Sequence, residues 1–259
     1  MDTMMGRRGV AWRTPSVSGF GLKMFACAAM LIYNIGISVV EHGLIHLDQY
    51  TQQQLSQALS DNSDLMMLAG VGSVMQMIGG LAVPIFAFLL VEGFRNTSSY
   101  KRYLLSVIVF ALISEVPYDL AMQQSFWDLS SQNAMIGTAI CLLMLYFLDM
   151  FKERKGFMAS WARFCIVLGA VVWAALFRVR FGPTMVLLTA VFYLFYARNV
   201  MKTVLGILIS LIHVTGPLSF YGLWCYDGRT KHENLKYVFY AFYPLHLLVL
   251  GVVVTFFMS

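Results

Sequence analysis

Apolar stretches of roughly 20 residues recur along nearly the whole chain, and this feature constrains the fold more than any other. A helix of that length crosses the hydrocarbon core of a membrane, which is about 30 Å thick. Only 12% of the 259 residues are charged, whereas a soluble domain has about 25%. The sequence therefore predicts an all-α, polytopic membrane helical bundle. We interpret the net charge of +5 as topology information, and we expect no nucleic-acid partner.

The length rule predicts about eight transmembrane helices. Residues 1–18 are expected to form a cytoplasmic amino-terminal segment, and residues 19–259 a single transmembrane domain. In the second span, Gly79, Gly80 and Pro84 predict a kink, because proline removes a backbone donor and clashes with the preceding turn. The predicted spans are residues 20–40, 65–93, 101–122, 133–151, 159–177, 183–197, 202–224 and 237–258.

Basic and acidic loops alternate along the first half of the chain. The amino-terminal segment and the loops after the second and fourth spans are basic, whereas the loops after the first and third contain acids and no Lys or Arg. The positive-inside rule then predicts a multi-pass protein of the cell (inner) membrane with both termini in the cytoplasm, given an even number of spans. The last outer loop disagrees, because it contains Arg229, Lys231 and Lys236.

Carboxylates at the ends of two consecutive apolar runs are the first candidate functional residues. A carboxylate at membrane depth is costly to dehydrate, and a partner charge, a wet cavity or a ligand is the usual compensation. Glu92 fits either a cavity or an exposed helix-end ion pair. Glu115 and Asp119 flank Pro117, so we expect the helix to bend or end near Val116. Because broken membrane helices line cavities, Glu115 or Asp119 is predicted to face one.

Two further spans carry polar residues at membrane depth. Lys23 and Asn34 are eleven positions apart, about three helical turns, and share a helix face. Lys23 is either a positively charged anchor at the interface or a cation that meets a phosphate or carboxylate. Asn34 fits an interhelical hydrogen bond or a site. Arg180 precedes a break at Gly182, and we expect it to meet an anion or a carboxylate such as Glu115.

The last predicted span contains the histidine most suited to chemistry. Tyr243 and His246 lie on one helix face, and a neutral imidazole serves as acid, base or hydrogen-bond donor. Asn133 either caps the fourth span or faces the same cavity. His42 and His46 have the i, i+4 spacing of a metal pair, but no third ligand converges in the sequence, so we predict no metal site.

Four segments of this chain resemble the successive signatures of the TraX family, which is named after the conjugation protein that acetylates the amino terminus of pilin. They are GGLAVPIFAFLLVEGF, YKRYLLSVIVFALISEVPYDLA, QNAMIGT and KYVFYAFYPLHLLVL. The resemblance runs from about Lys23 to Leu250. It implies a place in a wider superfamily of transmembrane acyltransferases, and transfer of an acyl group from acetyl-CoA, on the cytoplasmic side, to an unknown acceptor.

The resemblance is uneven along the chain. Relatives read Asp-His where this chain has Tyr33-Asn34, and that histidine is the catalytic group in the wider superfamily. A family Asp-Tyr-Gly is replaced by Arg180-Phe181-Gly182, whereas the basic residue at Lys23 is kept. The positions that match the family pattern are Pro84, Glu92, Gly93, Glu115, Pro117, Asp119, Gln132, Asn133, Tyr243, Pro244 and His246.

The resemblance implies a site assembled from these positions. His246, Glu115 and Asn34 are the expected catalytic residues, and Lys23 and Arg180 are the expected contacts of acetyl-CoA. The other residues expected around the same polar cavity are Glu92, Asp119, Asn133 and Tyr243.

The loss of the first-span histidine leaves three alternatives for the chemistry. Acyl transfer needs a base, and an asparagine side chain is not one at neutral pH. Either His246 or His42 has taken over as the base, or the protein binds an acyl carrier or lipid without turnover, or its chemistry differs. The acceptor is then a peptide amine or a glycan or lipid hydroxyl. The alternative function is that of a non-catalytic membrane component of a transport or assembly system.

Overall fold

The structure is a computed structural model that describes residues 16–228 and 236–258, with the side chain of Lys236 left out. These residues form helices and no named strand. The prediction for residues 1–18 therefore lies almost entirely outside the described residues. The α-helices are α1 Gly19–Ile35, α2 Gln52–Asp61, α3 Ser63–Gly80, α4 Ala82–Asn96, α5 Tyr100–Gln123, α6 Ala134–Met150, α7 Phe157–Leu176, α8 Gly182–Leu194, α9 Asn199–Ser210, α10 Ser219–Trp224 and α11 Lys236–Phe257.

Five helical segments of the described residues are long and apolar enough to cross a membrane. They are Gly19–Ile45, Ser63–Asn96, Tyr100–Gln123, Phe157–Leu176 and Tyr237–Phe257. Three shorter apolar helices accompany them: Ala134–Met150, Gly182–Leu194 and Asn199–His213. The all-helical membrane class is confirmed, whereas eight full-length spans are not.

Two short backbone pairings mark the ends of the bundle. At the proximal end, where α1 begins, Val17 pairs with Tyr226. At the distal end, where α6 and α8 begin, Gln132 pairs with Val179. Because successive long helices reverse direction, α4, α6 and α8 end at the proximal end. The cations at their ends and in the loops that follow, such as Arg95, collect there.

Helices α1 and α11 run parallel to each other. Phe20 and Phe239 contact each other near their starts, with ring centroids 5.8 Å apart. A π-helix, Gly36–Ile45, continues α1, and its Gly43 lies against Met258, directly after α11. The described ends of the chain are therefore at opposite ends of the bundle. The prediction that both termini lie in the cytoplasm depended on an even number of crossings, and it stays a prediction, because residues 1–15 and Ser259 lie outside the described residues.

The predicted span 202–224 is instead a helical hairpin that returns to its own side. Helix α9 enters from the proximal end, the chain turns at residues 211–218, and α10 leads back. The indole Nε1 of Trp224 donates to the Thr203 hydroxyl at 3.2 Å, so the end of α10 lies beside the start of α9. Arg229 and Lys231 are outside the described residues, but Asp227 leads toward them from the proximal end. The predicted charge conflict of that loop depended on a full crossing at residues 202–224, and α9 and α10 do not make one.

Prolines and glycines act differently in two neighbouring helices. The predicted kink in the second span is confirmed, since α3 ends at Gly80 and α4 begins after Leu81. A Cβ atom at Gly79 would overlap the Tyr33 ring, so glycine permits this close approach of α3 to α1. By contrast, α5 continues through Pro117 to Gln123. Of the two expected alternatives near Val116, a bend or an end, the helix end does not occur, because packing of α5 along α11 maintains the helix.

Candidate functional site

His246 on α11 and Asn34 on α1 form the central contact of the site. Asn34 Nδ2 lies 2.7 Å from His246 Nε2, and both side chains are buried. The other ring nitrogen, Nδ1, lies 2.7 Å from the Phe242 carbonyl oxygen. Since a carbonyl only accepts, the proton belongs on Nδ1, and Nε2 accepts from the Asn34 amide. His246 is therefore a neutral imidazole whose basic nitrogen faces Asn34.

Arg180 adds a cation beside this contact. The pairing of Gln132 with Val179 holds its backbone at the distal end. Its Nε donates to the Tyr118 hydroxyl at 3.0 Å and its Nη1 to the Tyr33 hydroxyl at 2.8 Å. Burial lowers the pKa of Arg180, but the phenols that accept its hydrogen bonds outweigh this and raise the pKa above its usual value. The guanidinium is therefore charged at neutral pH.

No carboxylate of the described residues lies within ion-pair distance of Arg180. The predicted partner Glu115 is paired elsewhere, with the amide of Asn133. A partly buried cation whose neighbours are neutral phenols carries an unbalanced charge. Such a cation favours an anion or a developing negative oxygen next to it.

Glu115 and Asn133 make the second contact between neighbouring helices. Asn133 caps α6, because its Oδ1 accepts from the amides of Met135 at 2.9 Å and Ile136 at 3.3 Å. Its Nδ2 donates to Oε2 of Glu115. The remaining oxygen, Oε1, is buried and has no hydrogen-bond partner in the part of the chain that the structure describes. An unsatisfied buried carboxyl oxygen is costly, so a ligand group that reached it would gain a bond.

Tyr243 joins these two contacts. Its hydroxyl accepts from the Ala134 amide at 3.2 Å, directly after the Asn133 cap, and its ring lies 5.6 Å from the His246 ring. These hydrogen bonds and ring contacts connect α1, α5, α6, α11 and the loop before α8 into one continuous set. We call this set the polar cluster. Its members are Tyr33, Asn34, Glu115, Tyr118, Asn133, Arg180, Tyr243 and His246.

Asp119 does not belong to the polar cluster. Its Oδ2 accepts from the Asp128 amide at 3.0 Å, and its Oδ1 lies 3.4 Å from Gln123 Nε2. These bonds tie the loop between α5 and α6 to the end of α5. Tyr118, one position earlier, bonds the Ser131 hydroxyl of the same loop at 2.7 Å. Asp119 therefore holds the loop between α5 and α6 against the distal end of α5.

Lys23 and Glu92 lie toward the proximal end, away from the polar cluster. Lys23 Nζ is 5.6 Å from the centroid of the Phe239 ring. Its predicted shared site with Asn34 does not form, because eleven helical residues span about 16 Å. Glu92 hydrogen-bonds to Tyr196 and lies within electrostatic range of Lys202. The structure brings His246, Asn34, Glu115, Asn133, Tyr243 and Arg180 together, and separates Lys23, Glu92 and Asp119 from them.

Sequence reasoning missed two members of the polar cluster, Tyr33 and Tyr118. Both are buried and supply the hydroxyls that hold Arg180. Tyrosine in a membrane helix is ordinarily an interfacial anchor, so their sequence context predicts no special role. The only available signal is the position of Tyr33 directly before Asn34.

A comparison with family models shows to which family this chain belongs. The model described as TraX protein matches residues 18–254. This chain belongs to the TraX family. The match runs from the residue before α1 into α11, so it includes every residue of the polar cluster. Neither the search of curated proteins nor the search of solved structures found a match.

Membership of the TraX family confirms the resemblance read from the four segments. Asn34 and Arg180, the two positions at which the sequence analysis expects departures from the family pattern, both lie in the polar cluster. They are connected through Tyr33, which neighbours Asn34 in the chain and accepts a hydrogen bond from Arg180.

Proposed function

We propose that this TraX-family protein is a membrane acyltransferase in which His246 is the general base. The observation that supports the proposal most is the hydrogen bond between His246 Nε2 and Asn34 Nδ2. The bond brings an imidazole nitrogen next to Asn34, the position at which the resemblance to the TraX family expects a histidine. His42, the other candidate base, lies eight helical residues beyond Asn34 toward the distal end, and its Nδ1 is 3.4 Å from Asp48 Oδ1.

In this proposal His246, Asn34 and Arg180 have separate tasks. The Phe242 carbonyl holds the proton on His246 Nδ1, which leaves Nε2 to take the proton of an acceptor amine or hydroxyl. The Asn34 amide orients that nitrogen in the resting protein and then donates to the acceptor oxygen or nitrogen. Arg180, held by Tyr33 and Tyr118, stabilises the negative charge that develops on the acyl oxygen.

An acyl thioester such as acetyl-CoA supplies the activated acyl group. The residues of the polar cluster fit a carbonyl carbon under attack, because a base nitrogen and an unbalanced cation converge there. They do not support one phosphate contact formed by Lys23 and Arg180 together, since these two cations lie toward opposite ends of the bundle. The acceptor joins the acyl carbon as the bond to sulfur breaks, and the proton taken by Nε2 returns to the leaving thiolate.

The distribution of charge supports an orientation for the bundle. Cations such as Arg95, Lys152 and Arg198 lie at the proximal end, whereas Asp48 and Asp64 lie at the distal end, Asp64 in the first turn of α3. By the positive-inside rule the proximal end is cytoplasmic. The polar cluster then lies between the membrane centre and the opposite face, so the acceptor is one that reaches it from outside the cytoplasm.

One observation favours the second candidate function, a non-catalytic membrane component. Both ring nitrogens of His246 are already hydrogen-bonded within the protein. A histidine that only joins two helices would show the same pattern. In that case Asn34 and His246 fix the packing of α1 against α11, and the unbalanced charge of Arg180 holds an anionic ligand without turnover.

The two functions differ in one measurable product. We expect the purified full chain, incubated with acetyl-CoA and a panel of peptide amines and saccharide hydroxyls, to release free CoA thiol. His246→Ala should lower that release by about 10²–10⁴-fold, the usual contribution of a general base. His42→Ala should leave it unchanged.

Controls keep folding and chemistry apart. Leu245→Ala changes an exposed neighbour on the same helix and should match the unmutated protein in activity and thermal midpoint. Full CoA release by a folded His246→Ala protein would exclude His246 as the base. Absence of release by the unmutated protein across the whole panel would favour the non-catalytic function.

A further inference from the structure

A groove between α7 and α8 opens on the lipid-facing side of the bundle. It has a volume of about 590 Å³, within the roughly 300–1,000 Å³ typical of small-molecule sites. Its long sides are apolar and include Phe164, Val167, Leu187 and Val191. Helix α7 is a candidate span of which only 17% is buried inside the protein. The groove is therefore surrounded by hydrocarbon and suits an extended apolar chain.

Two arginines lie at the proximal end of this groove. Arg163 and Arg198 are among its lining residues. Arg198 is exposed, and its guanidinium makes no hydrogen bond or ion pair within residues 16–228 and 236–258. Arg163 is held in place, because its Nη2 donates to the carbonyl oxygens of Phe151 at 2.7 Å and Arg154 at 2.8 Å. The groove thus has an apolar body and a cationic end.

A second cavity adjoins the cationic end. It has a volume of about 680 Å³ and shares Arg163 and Leu194 with the groove. Arg95 and Lys152 also line it, against one carboxylate, Asp149. That carboxylate is already occupied, since it pairs with Lys152 at 3.2 Å and accepts from the Tyr193 hydroxyl at 2.7 Å. The junction of the two cavities therefore has a net positive charge.

We propose that this groove binds an anionic phospholipid, with an acyl chain between α7 and α8 and the headgroup phosphate at Arg198 and Arg163. Two features of the groove indicate an anionic phospholipid as its ligand. The apolar groove faces hydrocarbon, which excludes a water-soluble anion as the whole ligand, and the cations at its end select a negative headgroup over a zwitterionic one. This lipid site is separate from the polar cluster, so it is independent of the proposed acyl transfer.

Native mass spectrometry of the detergent-purified full chain tests the proposal. We expect dioleoyl phosphatidylglycerol, titrated into the micelles, to remain bound after detergent is removed, and dioleoyl phosphatidylcholine to dissociate. Arg198→Gln should weaken retention of phosphatidylglycerol about fivefold, the effect of one cation near an anionic headgroup. Arg102→Gln is the matched control, because Arg102 is exposed on α5 and lines neither cavity.

The acyl chain is tested by filling the groove. Val167→Trp places a bulky ring in the groove and should abolish retention of phosphatidylglycerol. Val172→Trp adds the same ring at an exposed position of the same helix, outside the groove lining, and should retain the lipid. Thermal unfolding of both variants checks that each is folded. A Val167→Ala variant, which enlarges the groove without adding bulk, should still retain the lipid.

Several results would overturn the lipid site. Equal retention of the two lipids would show that headgroup charge plays no part. Equal losses in Arg198→Gln and Arg102→Gln would assign the effect to general surface charge. Displacement of phosphatidylglycerol by millimolar glycerol phosphate would make a free phosphate the occupant. Undiminished retention by a folded Val167→Trp protein would exclude the groove as the place of the acyl chain.

Discussion

The distal half and the proximal end of this bundle use charge in opposite ways. In the polar cluster, Arg180 donates to two phenols and Glu115 accepts from an amide. At the proximal end, Glu92 lies within electrostatic range of Lys202, and Asp149 pairs with Lys152 at 3.2 Å. Opposite charges thus meet at the proximal end, whereas within the polar cluster each charged side chain has only neutral partners.

This difference identifies the polar cluster as the place where a ligand is expected. A charge that is removed from water without a counter-charge costs free energy, and such arrangements concentrate at functional sites. Asp149 with Lys152, and Glu92 with Lys202, are already compensated by opposite charges and need no ligand to be stable. The following predictions compare matched substitutions in the two regions, from the largest expected effect to the smallest.

Removal of an arginine from each region should give the largest difference in CoA release between the polar cluster and the proximal end. We expect Arg180→Met to lower CoA release about 10²–10³-fold, because it removes the group that stabilises the developing negative charge. Arg95→Met, at the proximal end, should change it less than threefold, since Arg95 mainly stacks on the Tyr196 ring at 3.8 Å. Initial-rate measurements on both proteins check this. Equal losses in the two variants would remove the contrast on which the proposed site depends.

Asn34 should show a smaller effect than Arg180. Asn34→Ala removes the donor to His246 Nε2 and should lower the turnover number about tenfold, the equivalent of one hydrogen bond of roughly 1.4 kcal/mol. Steady-state kinetics and thermal unfolding are measured together. Ser38→Ala, a buried polar position one helical turn later, is the control. Unchanged turnover combined with a lower thermal midpoint would leave Asn34 with only an interhelical role.

Carboxylate-to-amide substitutions should behave differently in the two regions. Glu115→Gln keeps an acceptor for Asn133 and gives the unsatisfied oxygen position a donor, so stability should change by less than about 0.5 kcal/mol while activity falls about fivefold. Glu92→Gln removes a charge near Lys202 and should cost up to about 1 kcal/mol with activity unchanged. Chemical unfolding and CoA release are compared. The reverse pattern would move the functional carboxylate to the proximal end.

Lys23 should have the smallest effect. Lys23→Ala removes a cation that lies over the Phe239 ring, a contact worth about 0.5–1 kcal/mol. Because Lys23 is remote from the polar cluster, CoA release should change less than twofold at saturating acetyl-CoA. The KM for acetyl-CoA is measured alongside. A tenfold rise in that KM would restore Lys23 as a donor contact and place donor binding at the proximal end.

Several features of the fold were predictable from local sequence. The apolar runs predict membrane helices because backbone hydrogen bonds in hydrocarbon must be satisfied within the helix. Gly79, Gly80 and Pro84 predict the break before α4 because the effect of proline on the preceding turn is local. Pro117 shows the limit of this reasoning, since α5 continues through it where packing against α11 outweighs the local preference. The hydropathy of α9 and α10 is similar to that of a single span. The chain instead turns back to the proximal end, and this turn depends on tertiary contacts such as that of Trp224 with Thr203.

In the polar cluster, too, some features were predictable from the sequence and others depended on tertiary packing. His246, Glu115 and Asn133 were predictable as candidates because a polar side chain at membrane depth is itself a signal. Their partners were not, because Asn34 and His246 are 212 positions apart and Arg180 and Tyr33 are 147 positions apart. Residue types and apolar lengths are local properties, and they determined a membrane helical bundle with a few costly polar residues. Which of those residues meet depends on how each helix is rotated and shifted against its neighbours, and only the packing of all the helices sets that.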